Sequence, residues 1–342
     1  MSPTNENIVS WVEDIKERNH SSAAALTVIK DNKIVFEHYS GFHSNTDNPL
    51  PINENSRFNV ASARKSYLGL CIAFALYEGK IHSLDDYASD HFHDIDRDIL
   101  GNTTLRHMVT HTHGLDETSE GELIREFDPG EKWAYRGMNI KLLTQLIHEI
   151  YGRPFPEFLY QKVFLPMGLK RTWWETEDND DLVKVIVDHN KIAKDTTGSA
   201  EDGMESNLFV SAREFALWGN LFLNKGEFNG KRIIPEEVIE LANSIHTPNH
   251  LAKECPRNGM FWFVQDIPRV LSELGDRVPR GSFQILGVTG PTLLVIPKYN
   301  VVVAKMYNKR YNYGNDNYLY YLKEFSNIVA DNFRIKKSEE SL

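Results

Sequence analysis

A chain of 342 residues with 41% apolar content has room for two lobes around a large buried core, which excludes disorder and the mini-protein class. Its 38 basic and 48 acidic side chains leave a formal charge of −10, which works against attraction to nucleic acid or an anionic lipid surface. Two cysteines, Cys71 and Cys255, are too few for a disulfide framework, and Cys71 stands inside an apolar run as a core residue.

The N-terminus, Met1 to Glu6, is polar and acidic, with no apolar stretch behind it, and no later window approaches the length of a membrane span. The expectation is a cytoplasmic protein without a membrane partner. Ile8, Val9, Trp11, Val12 and Ile15 recur at helical spacing and predict an amphipathic opening helix. Two strands follow, carried by Ala24, Leu26, Val28 and Ile29 and by Ile34, Val35 and Phe36; between them lies the polar turn Asp31-Asn32-Lys33. From Tyr67 to Tyr77 the chain is apolar on nearly every side, as a fully buried helix requires, and Glu78-Gly79-Lys80 ends it.

Residues 81 to 210 carry helix signals, among them Thr104 to Val109 and Ile140 to Ile150, the latter stopped by Gly152 and Pro154. A further helix near Ala212 to Leu223 precedes strand-like runs at Phe261 to Val264, Thr292 to Ile296 and Val301 to Ala304. A last helix from about Tyr318 to Phe333 leads into a charged tail, Lys336 to Glu340, expected to fray. The predicted fold class is α/β (α+β). An antiparallel sheet formed by residues 1–80 and 211–342 is flanked by the N- and C-terminal helices, and residues 81–210 form an inserted, mostly helical lobe.

Ser62-Ala63-Arg64-Lys65 places a Ser-x-x-Lys pair at the head of the most buried helix. Residues three apart share a helical face, so a lysine there comes within reach of the serine hydroxyl, and the helix N-terminus offers N–H groups to an oxyanion. A buried lysine loses proton affinity and becomes able to act as a base. The plain alternative is a capping serine beside a solvated lysine, so context decides.

The context is a resemblance to the serine β-lactamase and penicillin-binding-protein-like family, running from about residue 20 to residue 330. Phe58 to Ser66 resembles its nucleophile segment, and Glu78-Gly79-Lys80-Ile81-His82-Ser83-Leu84-Asp85-Asp86 the segment that follows. Leu105 to Leu115 (LRHMVTHTHGL) is similar to the family's RHLLTHTSGL, and Phe127 to Tyr135 to its F-PG-W-Y element. Val163 to Leu169 and Ser211 to Ala216 resemble two later landmarks in the same order. The resemblance implies a β-lactamase/transpeptidase-like fold with the site between the lobes. It makes Ser62 the nucleophile, Lys65 its base, and Tyr135 the residue that passes a proton to the leaving group, with no cofactor.

Two departures shape the expected substrate. Tyr135-Arg136-Gly137 lacks the polar side chain that the family usually carries two residues past the tyrosine. Asn139 stands four residues past it, which resembles the 6-aminohexanoate-oligomer hydrolase and esterase subgroup and makes Asn139 a candidate substrate-binding residue. The slot for the family's strand-edge cation is filled by Ile285-Leu286-Gly287, with no Lys or His, which argues against a β-lactam as natural substrate. In the subgroup's alignment Val288, next to Gly287, supplies a second oxyanion N–H beside that of Ser62; a backbone donor needs no particular side chain.

His107, His111 and His113 suggest a metal cluster by spacing, but no carboxylate or cysteine completes a convincing set, and no metal is expected. The acidic run Glu175 to Asp181 lacks the Gly and terminal Glu of a calcium loop. Trp133, Trp173, Trp174, Phe261 and Trp262 are candidates for a cleft wall or for core. The expected activity is cleavage of a small-molecule ester or amide through an acyl-enzyme on Ser62. The alternatives are a β-lactamase or D-amino-acid peptidase, and a catalytically weakened binding homologue.

Overall fold

Strand β1 (Ala23–Lys30) is buried from Ala23 to Ile29 without alternation, the pattern of a strand covered on both faces. It pairs with β2 (Lys33–Gly41) through a turn in which Asp31 and Asn32 both have positive φ, 50° and 63°. That backbone matches the twist of the flanking strands, and Asn and Asp tolerate it. The computed structural model describes residues 3–310 and 318–334, so the charged tail Lys336 to Glu340 lies outside the described residues.

The main sheet has six antiparallel strands in the order Phe263–Val264, Phe283–Leu286, Thr292–Ile296, Val301–Tyr307, β1, β2. Helix α1 (Pro3–Arg18) and the C-terminal helix Tyr318–Phe333 pack on one face around Ile8, Val12, Leu26, Val28, Leu294, Val303 and Phe325. Helix Ala212–Leu223 covers the other face. It comes close because Gly219 has no side chain; a Cβ there would lie 2.7 Å from Val302 and 2.9 Å from Leu293. This is the mixed α/β, antiparallel-sheet fold expected, with helices from both chain ends on the sheet.

Of the run Phe261 to Val264, Phe263 and Val264 alone join the sheet. Phe261 has φ 69° and gives its N–H to Val109 O at 3.1 Å, which takes it out of the extended conformation. The segment between the first and last parts of the sheet holds helices Leu105–Val109, Met138–Tyr151 and Phe155–Leu159, together with short strands. One small sheet there orders Thr172–Trp174, Leu208–Ser211, β3 (Arg57–Asn59) and Leu182–Val183. Trp173 and Trp174 are thus strand residues. Strand β3 leads straight into helix α2 (Lys65–Tyr77), which is buried from Lys65 to Ala75 and forms the middle of the larger core.

Candidate active site

The turn from β3 into α2 is held by side-chain amides. Val60 N–H bonds Leu208 O at 3.0 Å, and Ala61 N–H bonds Asn59 Oδ1 at 2.8 Å. The Asn59 amide in turn donates to Ser206 O (2.8 Å) and Thr196 Oγ1 (3.0 Å), and the Asn59 carbonyl accepts Thr289 Oγ1 at 2.7 Å. This bracing keeps Ala61 at φ 46°, a left-handed conformation that costs a non-glycine residue about 1 kcal/mol or more. The sharp bend presents Ser62, half-buried, on a single helical turn, Ala61–Arg64, at the head of α2. Its hydroxyl makes no hydrogen bond among the described residues.

Lys65, one turn on, is almost fully buried and has no carboxylate partner among the described residues; its amine lies 3.6 Å from the centroid of the Tyr135 ring. The π face substitutes for the missing anion, so the amine rests on Tyr135 with no hydrogen bond to the Ser62 hydroxyl. Burial, and after it the charge of Arg64, hold the Lys65 amine well below the usual lysine range. The shift runs toward the neutral amine, the form a base requires.

Tyr135, 40% exposed, sits in the segment just before helix Met138–Tyr151. Its neighbour Ala134 gives its N–H to His111 O at 2.9 Å, and the His111 ring lies 4.6 Å from the tyrosine ring. His111 is buried, with φ 58°, and Phe261 stands 5.7 Å from it on the far side. Burial, and next the Lys65 charge, push the His111 imidazole well below the usual histidine range, so it is neutral. Trp133, whose indole N–H bonds Asn258 Oδ1 at 2.9 Å, completes this aromatic wall.

Asn139 is not brought to the site surface. It is fully buried in the first turn of its helix, donating to Met108 O at 2.7 Å and approaching His111 Nδ1 at 3.4 Å. The expectation that it contacts substrate is corrected: its helix turns it inward, behind His111, and leaves Oδ1 without a partner. The other histidines have structural tasks. His107 closes a capping box with Thr104, and His113 Nδ1 accepts Leu115 N–H at 3.0 Å. Burial, with Lys65 next, brings His113 down to about 3.

Strand Phe283–Leu286 closes the other side. Gly287, just past its end, would place a Cβ 2.1 Å from Val60 O, so this edge touches the nucleophile turn directly. Gly287 N–H bonds Pro291 O at 2.9 Å, and in the tight turn between them Val288 N–H is unused among the described residues. Val288 is half-buried, one residue from the contact with Val60. Asn59, Thr289 and His111 are the supporting residues that sequence reasoning missed. The signal for Asn59 was an Asx-type residue two positions before a strained turn.

A serine on a strained strand-to-helix turn, a buried lysine one turn later and a tyrosine ring beneath its amine stand together here, in the fold of a family of serine hydrolases. The chain belongs to the beta-lactamase family, whose model matches residues 8–325. An uncharacterized protein of Alkalihalophilus pseudofirmus is 42% identical over 327 residues, 95% of either chain. A putative D-alanyl-D-alanine carboxypeptidase of Escherichia coli is 24% identical, covering 87% of this chain and 81% of that one. Among solved structures, EstCE1, a hydrolase with promiscuous acyltransferase activity, superposes with a TM-score of 0.76 at 16% identity, covering 95% and 98% of the two chains. The octameric penicillin-binding protein homologue from Pyrococcus abyssi gives 0.71 at 19% identity, covering 88% of this chain and 72% of that one. Among the described residues no helix is long and apolar enough to cross a membrane.

Proposed function

We propose that the protein cleaves a small-molecule ester or amide through an acyl-enzyme on Ser62. Lys65 takes the hydroxyl proton as Ser62 Oγ bonds to the carbonyl carbon. The proton passes by way of Tyr135 to the leaving oxygen or nitrogen as that bond breaks, and water then releases the acyl group by the same route. The N–H groups of Ser62 and Val288 hold the oxyanion. The observation that carries this reading is the Lys65 amine, withdrawn from water without a counter-ion and seated on the Tyr135 ring one helical turn from Ser62.

An ester or short amide is favoured over a β-lactam or a D-amino-acid peptide, because the strand edge at Leu286 and Gly287 offers no cation. A fluorophosphonate probe and a panel of p-nitrophenyl esters test this, with the adduct located by peptide mass spectrometry. The expected result is a Ser62 adduct and turnover that the Ser62→Ala variant abolishes. Unchanged activity in that variant would refute the mechanism, and cephalosporins hydrolysed with higher kcat/KM than the esters would overturn the substrate ranking.

A further inference from the structure

Arg64 stands between Ser62 and Lys65, and the mechanism above gives it no task. Its Nε is sealed from solvent without a hydrogen-bond partner, and among the described residues it joins no ion pair. Among the described residues Arg57 and Arg257 likewise carry one buried nitrogen without a partner, but each also makes side-chain hydrogen bonds, which Arg64 does not. Arg57 pairs with Glu175, Arg269 holds Asp266 through two bonds of 2.8 and 2.5 Å, and Arg125 is ringed by the carbonyls of Ile99, Leu100, His113 and Phe127. Arg64 instead faces the amine of Lys65 and the phenol of Tyr135.

A guanidinium stays charged at any physiological pH, so leaving one withdrawn from water with no counter-charge is costly. In a chain of net charge −10, a guanidinium that joins no ion pair among the described residues marks a local reversal of sign. Part of Arg64 remains accessible. Gly137, two residues past Tyr135, adds room, since a Cβ there would meet nothing within 4 Å. A planar fork of donors in such a place matches one group best, a carboxylate.

We propose that Arg64 is a specificity residue that binds a carboxylate of the substrate, so that this enzyme acts on esters or amides carrying a free carboxylate, seated on the tyrosine side of Ser62. The inference rests on the serine-hydrolase reading. It places the anion apart from the strand edge, where no cation stands.

The test compares matched substrates by kcat/KM. p-Nitrophenyl hydrogen glutarate against p-nitrophenyl valerate reads a carboxylate on the acyl half; 3-(butyryloxy)benzoate against phenyl butyrate reads one on the leaving half. In one of the pairs the charged member should be favoured by about tenfold or more, as expected of a hydrogen-bonded charge pair, and the ratio should fall as sodium chloride is raised. Arg64→Met should bring the ratio close to one, and Arg64→Lys should recover part of it.

Equal rates for both pairs in the unaltered enzyme would overturn the proposal. So would a ratio that survives in Arg64→Met, or a loss that falls equally on charged and neutral substrates. Where the acyl-half pair shows the preference, calorimetric binding of glutaric acid monoamide against valeramide to the Ser62→Ala variant reads it without turnover, and equal binding then overturns the proposal as well. Failure of the underlying reading looks different: no Ser62 label and no hydrolysis of any ester, charged or neutral.

Discussion

Gly287 is where the main sheet presses on the nucleophile turn, and replacing it with alanine is the sharpest test of the proposed oxyanion site. The added Cβ would sit 2.1 Å from Val60 O and 3.2 Å from Ala61 Cβ, both in the turn that carries Ser62. An ordinary carbon–oxygen contact is about 3.3 Å, so one side must yield by about 1.2 Å. Both sides are braced, Val60 and Ala61 through Leu208 and Asn59, Gly287 through Pro291. The displacement therefore separates Val288 N–H from Ser62. A misplacement of that size, or loss of one oxyanion donor, lowers kcat by about 10²-fold or more. Overpacking costs about 1–3 kcal/mol of stability. The assay is kcat on a p-nitrophenyl ester, with thermal unfolding and Ser62 labelling to confirm an intact fold. A folded Gly287→Ala variant retaining kcat within about threefold would refute the assignment of Val288 N–H.

Two further substitutions probe the surroundings. Lys305 is fully buried without a hydrogen-bond partner, its amine over the rings of Tyr307 (4.7 Å), Phe325 (4.8 Å) and Trp11 (5.5 Å), and burial brings it down to about 7. The unfolded chain keeps that proton up to about pH 10.4, so between these values it binds more protons than the native state, and native stability gains as pH rises. Lys305→Met should add a few kcal/mol near pH 7, an advantage that shrinks toward zero by about pH 10 in denaturant melts; a pH-independent difference would contradict it. Asn139→Ala should cost about 1–2 kcal/mol and lower kcat through His111 and Tyr135 with KM unchanged, whereas a raised KM at full stability would restore direct substrate contact.

Much of this architecture was legible in local pattern. Asp31 and Asn32 announced the first hairpin, the unbroken apolar run after Lys65 announced the buried helix, and the spacing of Ser62 and Lys65 placed both on one face of it. These are short-range matters, set by turn chemistry and by the period of a helix. Asn139 misled because its position relative to Tyr135 in the chain says nothing of which side of its helix faces the site. Phe261 likewise read as strand, although its backbone is drawn out of the sheet by Val109.

The sequence by itself thus determined the fold class and the family, because those depend on residue type and near-neighbour spacing. Tertiary structure alone decided that Gly287 touches Val60 from 227 positions away, that Lys65 rests on the Tyr135 ring, and that Asn59, Thr196 and Thr289 together brace the turn. It also decided that Arg64 Nε is buried without a hydrogen-bond partner among the described residues. Such relations arise when packing brings distant segments together, and whether a buried charge finds a partner is settled there.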